Sequence, residues 1–312
     1  MSVPSYWPSH TSKASGDFTP GRDVGHPLEA RRCTVQLSTG RLYLDAVASP
    51  ATALLGHDFP PMPAADALTV EHILSSLAPG YGCVAMKSSF SAALDFAARI
   101  GRSAAGAEGG VALINALDGE PEASAGFLVV YENETLGRTG HWLASASWKR
   151  KPDLVVVGEA LALGFPFGAV FARGGFAADH DADSATLARV AAAIATVESE
   201  GLLLQGREVA DYLSARLFAV RESCPQIENV KGMGLSFRIS FSALLPATQI
   251  RRRMCERGVL VGVDSAGRLA IEPPLALRIA EADVITGALR GSLLDLPMVS
   301  ASACCAACED GK

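Results

Sequence analysis

The chain has 312 residues, 49% of them hydrophobic and 19% charged, enough apolar material for one large core or two smaller ones. The formal net charge of -6, with no basic run longer than Lys149-Arg150-Lys151 or Arg251-Arg252-Arg253, argues against a nucleic-acid surface, which needs a broader positive face. No stretch approaches about eighteen uninterrupted apolar residues, which excludes a membrane-spanning helix, and the opening MSVPSYWPSHTSKASGDFTPG does not read as a signal peptide, so the expected location is the cytoplasm.

Residues 1–30 read as a loosely structured arm. Cys33-Thr-Val-Gln-Leu, a turn at Gly40 and Arg-Leu-Tyr-Leu-Asp45 predict a hairpin, and Leu54-Leu-Gly-His57 closes that region. Pro60, Pro61 and Pro63 break any helix there. Apolar spacing predicts helices over 67–77 and 88–99, the second with Phe90, Ala93, Leu94, Ala97 and Ala98 on one stripe. Short apolar runs at 111–114, 127–130, 154–157 and 167–171 read as strands. Those at 127–130 and 154–157 are unbroken enough for buried parallel strands, each followed by a glycine-containing segment that could carry ligand-facing loops. Beyond them, helices are predicted over 186–199, 205–221, 246–256 and 280–294, with strands near 230–239, 259–261 and 269–271. This is an α/β core followed by a smaller α+β domain.

Of seven cysteines, Cys304, Cys305 and Cys308 form CCAAC near the C-terminus. Cys305-x-x-Cys308 has the spacing of half a zinc site or of a redox pair, but no second pair or nearby histidine completes it, and the tail reads as flexible thiols. No HExxH, Walker A or dinucleotide motif stands in a suitable setting, and Ser88 and Ser89 lack a GxSxG turn. No metal site is expected.

Several passages, in order, resemble class III aminotransferases of fold type I, the group of ornithine and acetylornithine aminotransferases. They are Gly40-Arg-Leu-Tyr-Leu-Asp45 with Leu55-Gly56-His57, Leu136-Gly-Arg-Thr-Gly140, Pro152-Asp-Leu followed by Gly158-Glu-Ala-Leu-Ala-Leu-Gly164-Phe-Pro-Phe-Gly-Ala-Val170, Val230-Lys-Gly-Met-Gly-Leu235, and Ile271-Glu-Pro-Pro-Leu275. Each is weak alone; the ordered set spans roughly three quarters of the chain. The resemblance implies a shortened fold-type I large domain over 31–185, including the entry hairpin, then a small domain over 186–296 and a tail over 297–312.

The resemblance also exposes departures. It puts Glu159 where the family has the lysine that holds pyridoxal phosphate (PLP), and a carboxylate cannot condense with an aldehyde. It puts Tyr131 where the family has the aspartate facing the pyridine nitrogen, and a tyrosine lacks that formal charge. Glu132 is acidic, but on a strand it points to the opposite face. At the family's phosphate turn the chain reads Met86-Lys-Ser-Ser89, where Ser88, Ser89, a helix start and Lys87 could still hold an anion. Arg138 and Thr139 of the GRTG loop are further candidates for ligand or anion contact. Only about thirty residues separate Arg99 from Tyr131, too few for the block the family carries there.

Two readings stay open for the acidic residues. Glu159, Glu132 and Glu134 form a carboxylate cluster in which one member is a general acid or base, or Glu159 merely accepts a hydrogen bond or salt bridge from Arg138 or Lys87. His141, after the GRTG loop, is either a proton carrier or a polar loop residue. His57 reads as structural.

The expectation is therefore an aminotransferase-like protein without PLP-dependent transamination. It would act as a dimer partner, scaffold or ligand-responsive subunit, as a homodimer or paired with an intact aminotransferase, with a small amino-acid-like ligand. The alternative is a PLP-independent enzyme, doing elimination, cyclisation or hydrolysis by acid–base chemistry with Glu159, Tyr131, Glu132 and His141. No bound cofactor is expected, unless PLP is held noncovalently.

Overall fold

The computed structural model describes residues 27–47, 54–57, 60, 66–106, 109–122, 126–243 and 245–295. Most of the expected arm, Pro61, Pro63 and the Cys304, Cys305 and Cys308 tail lie outside the described residues. Among the described residues no helix is long and apolar enough to cross a membrane.

The expected hairpin forms as β2 (Thr34–Leu37) and β3 (Leu42–Asp45), preceded by β1 (Pro27–Arg31). The three are antiparallel neighbours, and Gly40, at φ +80°, makes the turn. Val35 and Leu37 alternate into a small apolar cluster, as a half-buried strand requires. His57 Nε2 lies 2.9 Å from Asp45 Oδ2, so His57 ties the following turn back to β3.

The chain then builds its largest layer. Helix α1 (Ala67–Leu77) is capped by Asp66, which accepts from the Thr69 N–H, and leads to β4 (Gly82–Lys87). Helix α2 (Phe90–Ala105) is capped by Ser89 Oγ, accepting from the Ala92 N–H at 3.1 Å. Strands β5 (Val111–Asn115), β6 (Phe127–Tyr131), β7 (Leu154–Val157), β8 (Gly168–Ala172) and β9 (Asp179–His180) follow. The sheet order is β5-β6-β7-β8-β4-β9. β5, β6 and β7 run parallel, while β8 is antiparallel to both β7 and β4. β7 has no exposed face: Val155 and Val157 enter the main core, while Leu154 and Val156 face the layer that includes Ala93, Phe96 and Ala97 of α2. This double burial is why its sequence is an unbroken apolar run.

The second half adds α3 (Ser184–Ser199), α4 (Leu202–Ser223), β10 (Ile227–Met233), β11 (Ser236–Phe241), α5 (Ala247–Glu256), β12 (Val259–Leu260), β13 (Gly262–Val263), β14 (Leu269–Ile271) and α6 (Ile279–Leu294). Four of its strands form an antiparallel sheet in the order β10-β11-β14-β13. One continuous apolar core, with Leu54, Leu161, Leu213 and Leu289 fully buried, joins both halves.

The entry hairpin, expected within the large domain, has a sheet partner from the second half of the chain. β3 pairs in parallel with β12, so the entry hairpin belongs to a sheet completed by the C-terminal half rather than to the large layer. Two-residue β12 leaves the hairpin as its sheet partner, which sequence periodicity within either segment does not show.

Candidate functional site

The parallel strands bring their carboxyl ends together: Asn115 is opposite Tyr131, and Tyr131 is opposite Val156. In open α/β sheets this edge is where ligands bind. Gly158 and Glu159 leave β7 here, against the start of α2. A Cβ on Gly158 would stand 2.9 Å from the Phe90 ring and 2.8 Å from Asn133 Oδ1, so only glycine permits the approach.

Glu159 is half-buried, and its carboxyl lies near the backbone N–H of Phe90, the first residue of α2. Burial pushes its pKa up, opposed by the N–H groups of Glu159 itself and of Phe90. The carbonyl of Glu159 accepts the N–H groups of Ala162 at 3.0 Å and Gly164 at 2.8 Å, which fixes the turn that presents the side chain. Leu163 in that turn has φ +55°, a left-handed conformation that costs a leucine about 1–2 kcal/mol.

Tyr131 sits on the same side, its ring edge-on to Phe90 with centroids 6.2 Å apart. Its pKa is raised by burial first, then by the negative charges of Glu134 and Asp118. Phe90 thus touches the surroundings of both Glu159 and Tyr131. Asn133 completes the group, with Oδ1 buried and lacking a hydrogen-bond partner among the described residues. Phe90 and Asn133 were not singled out as site residues from the sequence; Phe90 was read only as part of an apolar stripe.

The remaining candidates lie elsewhere. Glu132 is fully buried on the other face, where it accepts the N–H groups of Ala144 at 2.5 Å and Ser145 at 3.0 Å together with the Ser145 hydroxyl. Its pKa is raised by burial, with the Ser145 hydroxyl the largest opposing influence. The Glu132 oxygens are thus occupied in anchoring the 144–145 backbone. The three carboxylates have different surroundings: Glu132 is held by Ala144 and Ser145, Glu134 receives the Asn115 amide at 3.5 Å, and Glu159 lies beside the start of α2.

Lys87 is also paired within the protein. Its ammonium lies 2.6 Å from Asp179 and 3.2 Å from Asp181, and over the Phe96 ring, so it already has its anions. The Ser88 N–H donates to Asp181 at 2.7 Å, and Ser89 Oγ is the cap of α2. The Ser88 and Ser89 N-terminal turn is thus held by protein acceptors. Arg138 is wholly buried, facing Glu272 and Glu134, with contacts to the carbonyls of Pro273 and Glu134 at 3.4 Å each. Burial lowers its pKa and the neighbouring carboxylates oppose this. It is a buried charge held among protein carbonyls and carboxylates. Thr139 and exposed His141 border a separate cavity on the far side of the GRTG loop.

Residues 126–293 match the sequence model of the family described as aminotransferase class-III. Acetylornithine aminotransferase 1 of Bordetella bronchiseptica is 33% identical over 159 residues, covering 48% of this chain and 40% of that protein. The acetylornithine aminotransferase of Methanothermobacter thermautotrophicus is 30% identical over 179 residues, covering 54% and 45%. The chain therefore spans less than half the length of these curated relatives. Among solved structures, acetylornithine aminotransferase from Elizabethkingia anophelis superimposes with a TM-score of 0.73 at 14% identity, over 90% of this chain and 96% of that one. Ornithine aminotransferase from Plasmodium yoelii gives 0.74 at 17%, over 90% and 95%. At such identities the superpositions establish the fold: a large fold-type I aminotransferase-like α/β domain with a smaller α+β region.

That architecture corrects one expectation. A shared fold-type I frame, matched across the strands that bear Tyr131 and Glu159, implies a PLP-binding site, which overturns the expectation of no cofactor. With the family model matching more than half of its length, this chain belongs to the class-III aminotransferase family.

Proposed function

We propose that this family member does not carry out lysine-dependent transamination and that it works as a subunit, pairing with a second copy of itself or with an intact aminotransferase and responding to a small amino-acid-like ligand. The observation that supports this is a half-buried carboxyl, that of Glu159, just after the end of β7 beside the start of α2. The motif order aligns this position with the family's lysine. The residues present do not fit covalent attachment of PLP there, because a carboxylate offers no amine.

No other described lysine is placed to replace it. Lys87 is bound by Asp179 and Asp181. Lys149 and Lys151 stand on the exposed turn before β7, and Lys231 on β10 pairs with Asp118. The subunit reading draws support from β5, which among the described residues has a sheet neighbour on one side only and carries Leu113 at 52% exposure. An unpaired strand edge is a template for another chain.

The test is native mass spectrometry of the full chain, alone and mixed with an intact acetylornithine aminotransferase, alongside a transamination assay with PLP supplied. The expected result is a dimer or a mixed dimer with no turnover by the chain alone. A monomer that does not associate in either sample contradicts the subunit role, and turnover by the chain alone contradicts the loss of transamination.

A further inference from the structure

Among the described residues each of the three sheets has two outer strands, and all but one of these carry a feature that blunts pairing with another chain. β1 has Pro27, Glu29, Arg31 and a register shift, and β10 has Glu228, Lys231 and a register shift of its own. β9, β12 and β13 are two residues each. Proline, charge, bulges and shortness are the means by which edges are protected. β5, Val111-Ala-Leu-Ile-Asn115, has none of them: five residues, no charge, no proline and an unbroken register with β6.

Which groups of β5 face outward follows from its pairing with β6. The Gly110 carbonyl accepts the Phe127 N–H at 3.0 Å. The N–H and C=O of one strand residue point the same way, and successive residues alternate. Ala112 and Ile114 therefore address β6, and the backbone groups of Val111, Leu113 and Asn115 face away from it. Side chains alternate between the faces of the sheet. Ala112 and Ile114 pack on the cluster that holds Leu128, Val130 and Trp148, whereas Val111 lies on the α2 face, where a Cβ on Gly101 would stand 3.1 Å from it. Leu113 shares that face and is left half-exposed. The outward ladder is complementary to itself. Set antiparallel about a two-fold axis, Leu113 meets Leu113, Val111 meets Asn115 and Ala112 meets Ile114. The Leu113 and Val111–Asn115 pairs exchange both backbone hydrogen bonds. No like charges meet, and the two Leu113 side chains cover each other on one face. The ends of the chain offer no comparable strand: residues 1–26 carry Pro4, Pro8 and Pro20, and residues 297–312 are mostly Ala, Ser and Cys.

We propose that β5 is the surface through which this chain pairs with a second copy of itself, antiparallel and centred on Leu113, so that two six-stranded sheets join into one. Such a two-fold contact closes on itself and stops at the dimer. The proposal rests on the subunit reading and narrows it to one partner and one surface.

Sedimentation of the full chain and of two variants, under reducing conditions, tests it. The unsubstituted chain is expected to dimerise reversibly. Leu113→Lys sets like charges directly opposite each other and is expected to weaken dimerisation at least about tenfold, with an unchanged circular dichroism spectrum because the position is exposed within one copy. Leu113→Cys supplies a positive readout. Opposed Cα atoms of a hydrogen-bonded antiparallel pair lie about 5.5 Å apart, within reach of a disulfide. Mild oxidation of this variant is expected to give a dimer in which peptide mapping finds the two introduced thiols joined. Dimerisation that is as tight in Leu113→Lys, with the introduced thiols unlinked, overturns β5 as the contact and leaves the subunit reading standing. A chain that is monomeric alone but joins an intact acetylornithine aminotransferase overturns the second copy as the partner, again without touching that reading. A chain that associates with neither overturns both.

Discussion

At Glu159 the folded state favours the protonated carboxyl, because burial outweighs the two N–H donors that favour the charged form. For a group whose pKa is raised on folding, stability is fully present below the unfolded value, here about 4.5, and is lost as the pH rises through the folded value. Glu159→Gln keeps the size and polarity of the side chain and removes the ionisation. Its stability relative to the unsubstituted chain should therefore be higher at pH 8 than at pH 4, measured by urea unfolding at both. An equal difference at the two values would show that Glu159 does not carry this linkage. Glu132 differs in kind. Glu132→Ala strips the acceptor from two buried N–H groups and a buried hydroxyl, and should cost about 3 kcal/mol in the same measurement. A loss under about 1 kcal/mol would contradict the anchoring role.

At the scale of elements, the contact of α2 with β8 depends on Gly168. A Cβ there would stand 2.6 Å from Ala93 Cβ and 2.7 Å from the Ser89 carbonyl oxygen, so helix and strand could not both keep their places. Gly168→Ala is expected to destabilise by about 1–3 kcal/mol, read from the denaturant midpoint at constant slope. No change in midpoint would mean that α2 has room to move away. The elements themselves were mostly legible. The buried runs at 127–130 and 154–157 became β6 and β7, and the 67–77 helix kept its bounds, because apolar spacing and caps are local properties. β4 was not legible: Gly82, Ala85 and Met86 have little intrinsic strand preference, and pairing with β8 and β9 supplies what the segment lacks. The destination of Lys87 was hidden for the same reason, since Asp179 and Asp181 arrive from more than ninety residues away. Glu159 was found through motif order, whereas its partner Phe90 and the unpaired Asn133 amide depend on how closely β7 approaches α2, which spacing along the chain does not encode.

At the scale of the molecule, the large layer and the smaller sheet are joined by buried charge as well as by apolar core. Arg238 on β11 holds Glu272 at 2.6 Å and Asp264 at 3.3 Å, and Arg138 faces Glu272 from the loop after β6. Removing one partner leaves its neighbours charged and buried. Glu272→Ala should therefore cost about 3–5 kcal/mol, seen as a lowered melting temperature, and an unchanged melting temperature would show that the two arginines find other partners.

We propose that no lysine of this chain takes the cofactor-holding role that the family's motif order assigns to the position of Glu159. Incubation of the full chain with PLP, reduction with borohydride and peptide mapping by mass spectrometry tests this most directly. The expected result is no lysine carrying a pyridoxyl group at one per chain, whether or not PLP is bound before reduction. Stoichiometric labelling of a single lysine, Lys87 or any other, would contradict the claim.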